Sequence, residues 1–171
     1  TCAPVPSRSG ARPGDLIYVT GTLGDALAGF ELIEAGFDEV GPLAIAYNRP
    51  EPRLCEGQSL APKVHAMMDV SDGLLLDTER LASASKVEIA IDLARIPLSP
   101  TYISYRGDAL ESRMQAASWG DDYQLLFAVS PEIELPVAAT QVGHVGEGTG
   151  LSLYEGERRI ALPPSLGYQH Q

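Results

Sequence analysis

Runs of apolar and β-branched residues between turn residues predict short strands along the chain. The predicted strands are residues 16–20, 66–70, 87–92, 124–129 and 140–145, followed by a hairpin of residues 151–154 and 158–162. Residues 87–92 alternate apolar and polar side chains with a period of two. That period is typical of an amphipathic strand.

Apolar residues at helical spacing predict helices between these strands. The predicted helices are residues 25–34, 42–47, 72–83 and 108–117, with a weaker helical pattern at residues 54–63. The strongest pattern is that of residues 72–83, where Leu74, Leu75 and Leu81 share one side. Pro97 and Pro100 predict a loop before the last helix.

Interspersed strands, helices and a hairpin predict an α/β fold with a mixed sheet rather than a purely parallel one. Prolines and glycines in residues 1–15 predict an arm or linker, and residues 16–171 are expected to form a single domain. The sequence contains no internal repeat or low-complexity tract. It opens on Thr1 rather than a methionine, so we expect it to be part of a longer protein.

One stretch stands out for its chemistry, the sequence Met67-Met68-Asp69-Val70-Ser71-Asp72-Gly73-Leu74. Apolar residues run into Asp69, and a helical pattern begins directly after Asp72. In extended backbone, Asp69 and Ser71 lie on the same side of the strand. Carboxylates beside a helix N-terminus would repel a phosphate unless a divalent cation lay between them. This interpretation predicts an Mg²⁺–phosphate site.

A plainer interpretation of the same residues is that they are structural. Ser71 and Asp72 are residue types that cap helices, and Asp69 would then end its strand on the solvent side. Residue types alone favour this second interpretation, because short motifs often match by chance.

Composition and charge narrow the classes of function. The chain has 171 residues, 44% of them hydrophobic, and a formal net charge of −11. This charge would repel nucleic acid and anionic membranes, so neither is an expected partner. The apolar runs are far too short to span a bilayer. Cys2 and Cys55 show no metal-binding spacing and fit reduced thiols in a cytoplasmic protein.

Nucleophilic catalysis has no candidate residues in this sequence. His65, His144 and His170 lie in unrelated contexts, and the nucleophile-elbow, Walker A and Gly-x-Gly-x-x-Gly motifs are missing. Two acidic pairs remain, Asp69 with Asp72 and Asp121 with Asp122, together with arginines near turns and aromatic neighbours. That set suits metal-assisted phosphoryl transfer, which depends on positioning and charge neutralisation. It would equally suit an acidic module without a ligand.

Five motifs, in order along the chain, resemble those of the thiamine-monophosphate kinase family. They are residues 8–25 (Arg-Ser-Gly-Ala-Arg-Pro-Gly-Asp-Leu-Ile-Tyr-Val-Thr-Gly-Thr-Leu-Gly-Asp), 49–54 (Arg-Pro-Glu-Pro-Arg-Leu), 69–74 (Asp-Val-Ser-Asp-Gly-Leu), 120–125 (Gly-Asp-Asp-Tyr-Gln-Leu) and 167–170 (Gly-Tyr-Gln-His). The match covers only the family's C-terminal part. The resemblance implies the C-terminal α/β sandwich of the aminoimidazole ribonucleotide synthetase-like superfamily, with a mixed sheet packed on helices.

The resemblance also implies roles for individual residues. Asp69 and Asp72 would bind Mg²⁺ and count as the catalytic residues. Ser71 would contact ATP, and Arg8 would approach the nucleotide phosphates. Asp121 would contact the thiamine moiety, and Tyr168 would stack on an aromatic ring of the substrate. Asp122 is expected to be a structural neighbour.

The family's reaction moves the γ-phosphoryl group of ATP onto thiamine monophosphate, giving thiamine diphosphate. The resemblance therefore implies Mg²⁺ and ATP, thiamine monophosphate as substrate, a cytoplasmic location and a homodimeric full-length enzyme. The acceptor is an ionised phosphate, so the chemistry requires no general base. The family's N-terminal ATP-binding domain is absent from these residues, and we expect the isolated chain to be catalytically incompetent.

Trp119 departs from the family's pattern, because it stands where the family usually has another glycine. The indole is expected to narrow the substrate pocket or to lie against the thiazole ring. Two alternatives stay open on the sequence. One is another ATP-dependent synthetase of the superfamily, from the purine or selenophosphate pathway. The other is a non-catalytic interaction domain with the same fold.

Overall fold

The computed structural model describes residues 5–37 and 41–168. Within them, seven strands form one mixed sheet in the order β2-β4-β1-β5-β3-β6-β7. The strands are β1 Leu16–Val19, β2 Ala66–Val70, β3 Glu88–Asp92, β4 Gln124–Val129, β5 Thr140–Gly146, β6 Gly150–Glu155 and β7 Arg158–Ile160. Neighbouring strands are antiparallel, except for the parallel pair β3 and β6. The predicted α/β class and mixed sheet are confirmed.

Six α-helices are found in the same residues. They are α1 Asp25–Glu34, α2 Pro42–Asn48, α3 Leu54–Leu60, α4 Leu74–Ser85, α5 Pro100–Arg106 and α6 Leu110–Ser118, with a short 3-10 helix at Leu93–Arg95. None of the helices in the described part of the chain has the length and apolar character needed to cross a membrane. Cys2, Gln169 and His170, which figured in the sequence interpretation, lie outside the described residues.

The loop predicted around Pro97 and Pro100 is wrong at its second proline, because α5 begins there. Proline suits the first position of a helix, where its missing N–H would have no intrahelical partner. Ser99 caps this helix by accepting a hydrogen bond from the backbone N–H of Tyr102 at 3.0 Å.

Residues 87–92 also differ from the prediction: Ile89, Ala90 and Ile91 are all buried, so β3 has less solvent exposure than its alternation suggested.

The strands β1 and β4 bury side chains on both faces of the sheet. On one face, Ile17 and Leu126 pack in the main core with Leu74 and Leu81 of α4. On the other face, the alternate positions pack in a second cluster that includes Leu60 of α3, with Tyr18 and Phe127 stacked at 5.7 Å between ring centroids. The period of two therefore divides each strand between two helical layers.

The start of α1 is fixed by a carboxylate from a distant part of the sequence. Its N-cap residue, Gly24, has no side chain and a left-handed φ of 85°. A Cβ there would lie 2.6 Å from that of Ala116, so no larger residue fits. Instead, Asp122 accepts hydrogen bonds from the N–H groups of Gly24 at 2.9 Å and Ala26 at 3.4 Å. This contact joins the 120–123 segment to the first turn of α1.

Asp122 predicts a pH dependence of stability. Its burial raises the pKa of the carboxyl group from 3.8 to about 8, although the two N–H donors oppose the shift. The folded chain therefore binds this proton at higher pH than the unfolded chain. The resulting stabilisation is present at low pH and is lost as the pH rises from about 4 to about 8.

The substitution Asp122→Asn removes this titration, so the variant should gain stability relative to the wild type as pH rises, by up to about 1.4 kcal/mol per pH unit. Urea unfolding of both proteins between about pH 5 and pH 8 measures the difference. Asp108→Asn, at an exposed carboxylate, is the matched control. Parallel pH profiles of wild type and Asp122→Asn would contradict the prediction.

Candidate functional site

Hydrogen bonds to the carboxylate of Asp77 fix the loop between β2 and α4, residues 71–73. The Asp77 carboxylate accepts the backbone N–H groups of Ser71 and Asp72, each at 3.0 Å. Asp77 is fully buried, and this burial raises its pKa although the hydrogen bonds oppose the shift. Two N–H groups just before the helix, of the kind that can bind an anion, are therefore already paired inside the protein.

Three backbone hydrogen bonds attach other parts of the chain to this loop and to the end of β2 before it. Tyr123 donates its N–H to the carbonyl of Val70 at 2.9 Å, and Asp121 donates to Ser71 at 3.0 Å. On the other side, Tyr168 donates to the carbonyl of Asp72 at 2.9 Å. Three sequence motifs that lie about fifty residues apart are thus brought together at one end of the sheet.

The 120–123 segment adopts an unusual backbone to make these contacts. Asp121 and Tyr123 have left-handed φ angles of 66° and 49°, which residues other than glycine rarely adopt. Gly120 passes so close to the loop that a Cβ would lie 2.3 Å from the carbonyl oxygen of Ser71. Tyr123 donates its hydroxyl hydrogen bond to Asp121 at 3.3 Å. Such strain is concentrated at functional sites in proteins.

These elements surround a cavity of about 640 Å³. Its described lining residues are mainly aromatic, small or acidic: Phe30, Tyr47, Ser71, Asp72, Ser118, Trp119, Gly120, Asp121, Tyr123, Ser165, Gly167 and Tyr168. Ser71, Asp72, Asp121 and Tyr168, four of the six predicted site residues, are among them. The same lining contains no lysine, arginine or histidine, so the cavity wall favours a ligand with a planar, positively charged part.

Asp72 lies in an ion-pair network with the helix that follows it. Arg80 contacts both Asp72 and Asp77, the latter at 2.9 Å. The hydrogen bond with Asp72 is the main reason that the pKa of Arg80 is raised. The helix-cap interpretation of Ser71 and Asp72 is wrong, because Gly73 is the N-cap of α4 and no side chain caps it.

Asp69 and Arg8 are not among the described residues that line the cavity. Asp69 is an exposed residue of β2, paired with Leu125 of β4. Arg8 is also exposed, and its carbonyl accepts a hydrogen bond from Ser85 at 3.1 Å, at the C-terminal end of α4. Ser85 is the last residue of α4, so this contact lies at the opposite end of the helix from the 71–73 loop. The predicted roles of both residues stay predictions.

A metal site formed by this chain alone would have few ligands. The described residues contain no group of three or more histidine, cysteine, aspartate or glutamate side chains able to hold a metal ion. Asp69 and Asp72 can supply two carboxylates at most, and Asp72 already contacts Arg80. Mg²⁺ is commonly bound by one or two carboxylates together with substrate phosphates, so these residues fit a shared metal shell rather than a complete one.

Sequence reasoning missed several residues that build the site. The sequence spacing of Asp77 and Arg80 could have predicted their contact. An acid in the first turn of a helix and a base three residues later lie on the same face and form an ion pair. Phe30 and Tyr47 had no such signal in the sequence, because tertiary packing of α1 and α2 brings them to the cavity. Asp122 was expected to be a structural neighbour, and its contacts with α1 are structural.

Two buried polar atoms at the cavity lack a hydrogen-bond partner among the described residues. They are the indole Nε1 of Trp119 and the hydroxyl Oγ of Ser118. An unpaired buried donor costs roughly 1–3 kcal/mol. Hydrogen bonding within the protein therefore does not explain why an indole stands at position 119.

Comparison with known proteins supports the resemblance. Residues 12–155 match the family described as AIR synthase related protein, C-terminal domain. Thiamine-monophosphate kinase of Caulobacter vibrioides is 36% identical over 177 residues, covering 95% of this chain and 50% of that protein. The Escherichia coli K12 thiamine-monophosphate kinase is 37% identical over 145 residues, covering 82% and 44%. The solved structure of AaThiL complexed with AMPPCP and TMP is 33% identical, with a TM-score of 0.81, covering 95% and 53%.

The chain spans about half the length of the curated relatives it matches. The resemblance to thiamine-monophosphate kinase that the five motifs predicted is confirmed, and so is the implied superfamily fold. The chain belongs to the family AIR synthase related protein, C-terminal domain.

Proposed function

We propose that the chain is the C-terminal part of an ATP-dependent thiamine-monophosphate kinase, with its cavity as the binding site for the thiamine moiety. The observation that carries the proposal is the lining of that cavity, which combines aromatic rings with the carboxylate of Asp121, beside an Asp72 that is paired with Arg80. Thiamine monophosphate has a thiazolium cation and an aminopyrimidine ring. Aromatic faces and carboxylates attract such a cation.

The proposed reaction needs positioning more than acid–base chemistry. An oxygen of the thiamine phosphate attacks the γ-phosphorus of ATP, the bond to the β-phosphate oxygen breaks, and ADP leaves. The attacking oxygen is already ionised, so no residue has to remove a proton. Asp121 and Tyr168 would hold the thiamine rings, while Ser71 and Arg8 would contact ATP. This arrangement agrees with the lack of a nucleophile–base pair in the sequence.

Mg²⁺ is the proposed metal, with Asp69 and Asp72 as ligands. When bound, it would neutralise phosphate charge and keep the donor and acceptor phosphates in line. The other ligands would come from the phosphates and from the part of the kinase that this chain does not match. A net charge of −11 makes such counterions necessary for an anionic substrate.

The wider assembly is part of the same proposal. Residues 1–15 would serve as an arm that leads into the domain of residues 16–171, and an N-terminal ATP-binding domain would complete the active site. The full-length enzyme would be a cytoplasmic homodimer. The relatives support a second domain, because they are about twice as long as this chain.

The proposed binding site predicts a charge-dependent affinity for thiamine monophosphate. Asp121→Asn should weaken binding by about 10- to 100-fold, because interactions of a charged group contribute about 1.5–3 kcal/mol. Calorimetric titration of wild type and variant measures the change. The exposed Asp108→Asn should bind like the wild type. Equal affinities for all three proteins would contradict the assignment of Asp121.

The proposed metal ligands predict that Mg²⁺ and a non-hydrolysable ATP analogue together strengthen binding of thiamine monophosphate to the wild type. In Asp69→Asn this strengthening should shrink at least about tenfold, since the variant loses one carboxylate ligand of a sparse shell. Its affinity without Mg²⁺ should match that of the wild type. An unchanged Mg²⁺ effect in Asp69→Asn would remove this residue from the metal site.

The incomplete metal shell predicts that the isolated chain does not catalyse the reaction. The rate of thiamine diphosphate formation should fall at least about 10³-fold below that of the E. coli relative, since phosphoryl transfer relies on complete positioning and charge neutralisation. A coupled assay of ADP release measures both proteins. A comparable rate would show that these residues form a whole active site.

Thermal shifts of the chain with other phosphorylated substrates test the alternative synthetase activities, because a ligand that binds the native state raises its melting temperature.

A further inference from the structure

Three aromatic side chains from separate helices form one wall of the cavity. Phe30 of α1 stacks on Trp119 with ring centroids 5.4 Å apart and an interplanar angle of 29°. Tyr47 of α2 meets the edge of Phe30 at 5.5 Å and 60°. Trp119 itself follows directly after α6. Because the rings come from α1, from α2 and from the residue directly after α6, the position of the indole is set by tertiary packing.

The indole is not held by polar contacts. Its N–H is a buried atom without a hydrogen-bond acceptor among the described residues. A phenylalanine would make the ring contact with Phe30 without burying an unpaired donor. What tryptophan adds is the larger π face, which is the best of the aromatic side chains at attracting a cation.

The surroundings of this wall define the charge of a matching ligand. Asp121 and Asp72 line the same cavity, whose described lining contains no positively charged side chain. Asp72 is paired with Arg80, so Asp121 is the carboxylate that matters for the charge of a ligand. Tyr123 donates a hydrogen bond to Asp121, which fixes the position of that carboxylate. The cavity of about 640 Å³ lies within the usual range for small-molecule sites. A flat ring with positive charge satisfies both the aromatic and the acidic parts of the lining.

We propose that Trp119 is a specificity-determining residue, whose indole face, supported by Phe30, binds the planar cationic ring of the ligand. The inference rests on the proposed function, in which that ring is the thiazolium of thiamine monophosphate. Trp119 would add ring recognition to the charge recognition of Asp121. The phosphate end of the substrate, and ATP, would not depend on it.

Trp119 is the only tryptophan of the sequence, so its fluorescence reports on this wall directly. Titration of the wild type with thiamine monophosphate should quench the selectively excited tryptophan emission to saturation. The midpoint should equal the dissociation constant from calorimetry. Binding detected by calorimetry without any change in emission would overturn the inference, and this measurement requires no variant that has to fold.

Three variants separate ring recognition from a structural role. Trp119→Leu should weaken binding of thiamine monophosphate by about 5- to 30-fold, the range expected from loss of a desolvated cation–π contact. Trp119→Phe, which keeps an aromatic face, should lose less than about fivefold. Phe30→Leu removes the ring that supports the indole, and its loss of affinity should lie between those of the two Trp119 variants. Affinity for a non-hydrolysable ATP analogue with Mg²⁺ should stay unchanged in all three, whereas a structural defect would lower it.

The outcomes distinguish this inference from the proposed function. If the wild type and Trp119→Leu bind thiamine monophosphate equally while Asp121→Asn binds it weakly, the role of Trp119 is wrong and the proposed function stands. If the wild type binds no thiamine monophosphate under any of these conditions, both are overturned. Loss in Trp119→Leu with rescue in Trp119→Phe supports both.

Discussion

The buried carboxylate of Asp77 is the contact on which the rest of the site depends. It pairs with the two amides of the β2–α4 loop, which leaves the carbonyl groups of Ser71 and Asp72 pointing outward. Those carbonyls then accept the N–H groups of Asp121 and Tyr168. Without Asp77, two half-buried N–H groups would lose their hydrogen-bond partner, which would destabilise this conformation of the loop. One acid therefore determines where three distant segments meet.

A second buried acid, Asp122, has the corresponding function on the other side of the cavity. It joins the 120–123 segment to the first turn of α1, the helix that carries Phe30. Adjacent residues thus have opposite tasks: Asp122 faces the protein interior, while Asp121 lines the cavity. Asp121 and Tyr123, on either side of Asp122, both have left-handed φ angles, a strain that proteins concentrate at functional sites.

Local patterns were sufficient for most of the fold, and tertiary contacts explain what they missed. Apolar runs bounded by turn residues located the strands, although β3 buries consecutive residues where its sequence predicted alternation. Pro100 was misread because a proline can begin a helix as well as interrupt one, and the deciding contact is the cap from Ser99. At the site, the motifs located Ser71, Asp72, Asp121 and Tyr168. The aromatic wall could not be found, since nothing near Phe30 or Tyr47 in the sequence indicates that α1 and α2 face Trp119.

In the proposed kinase, the distribution of charge separates the binding of the cationic ring from the neutralisation of the phosphates. The described cavity lining holds carboxylates and aromatic rings but no positive side chain, so it suits the cationic end of thiamine monophosphate and disfavours its phosphate. A phosphate near this cavity would lie in the field of a chain with a net charge of −11. In the proposed site Asp69 and Asp72 would recruit cations, and the described residues contain no group of three or more side chains able to complete a metal shell. In the proposed kinase, recognition of the organic cation would therefore belong to this chain, whereas neutralisation of the phosphates would need metal ions and further residues of the enzyme.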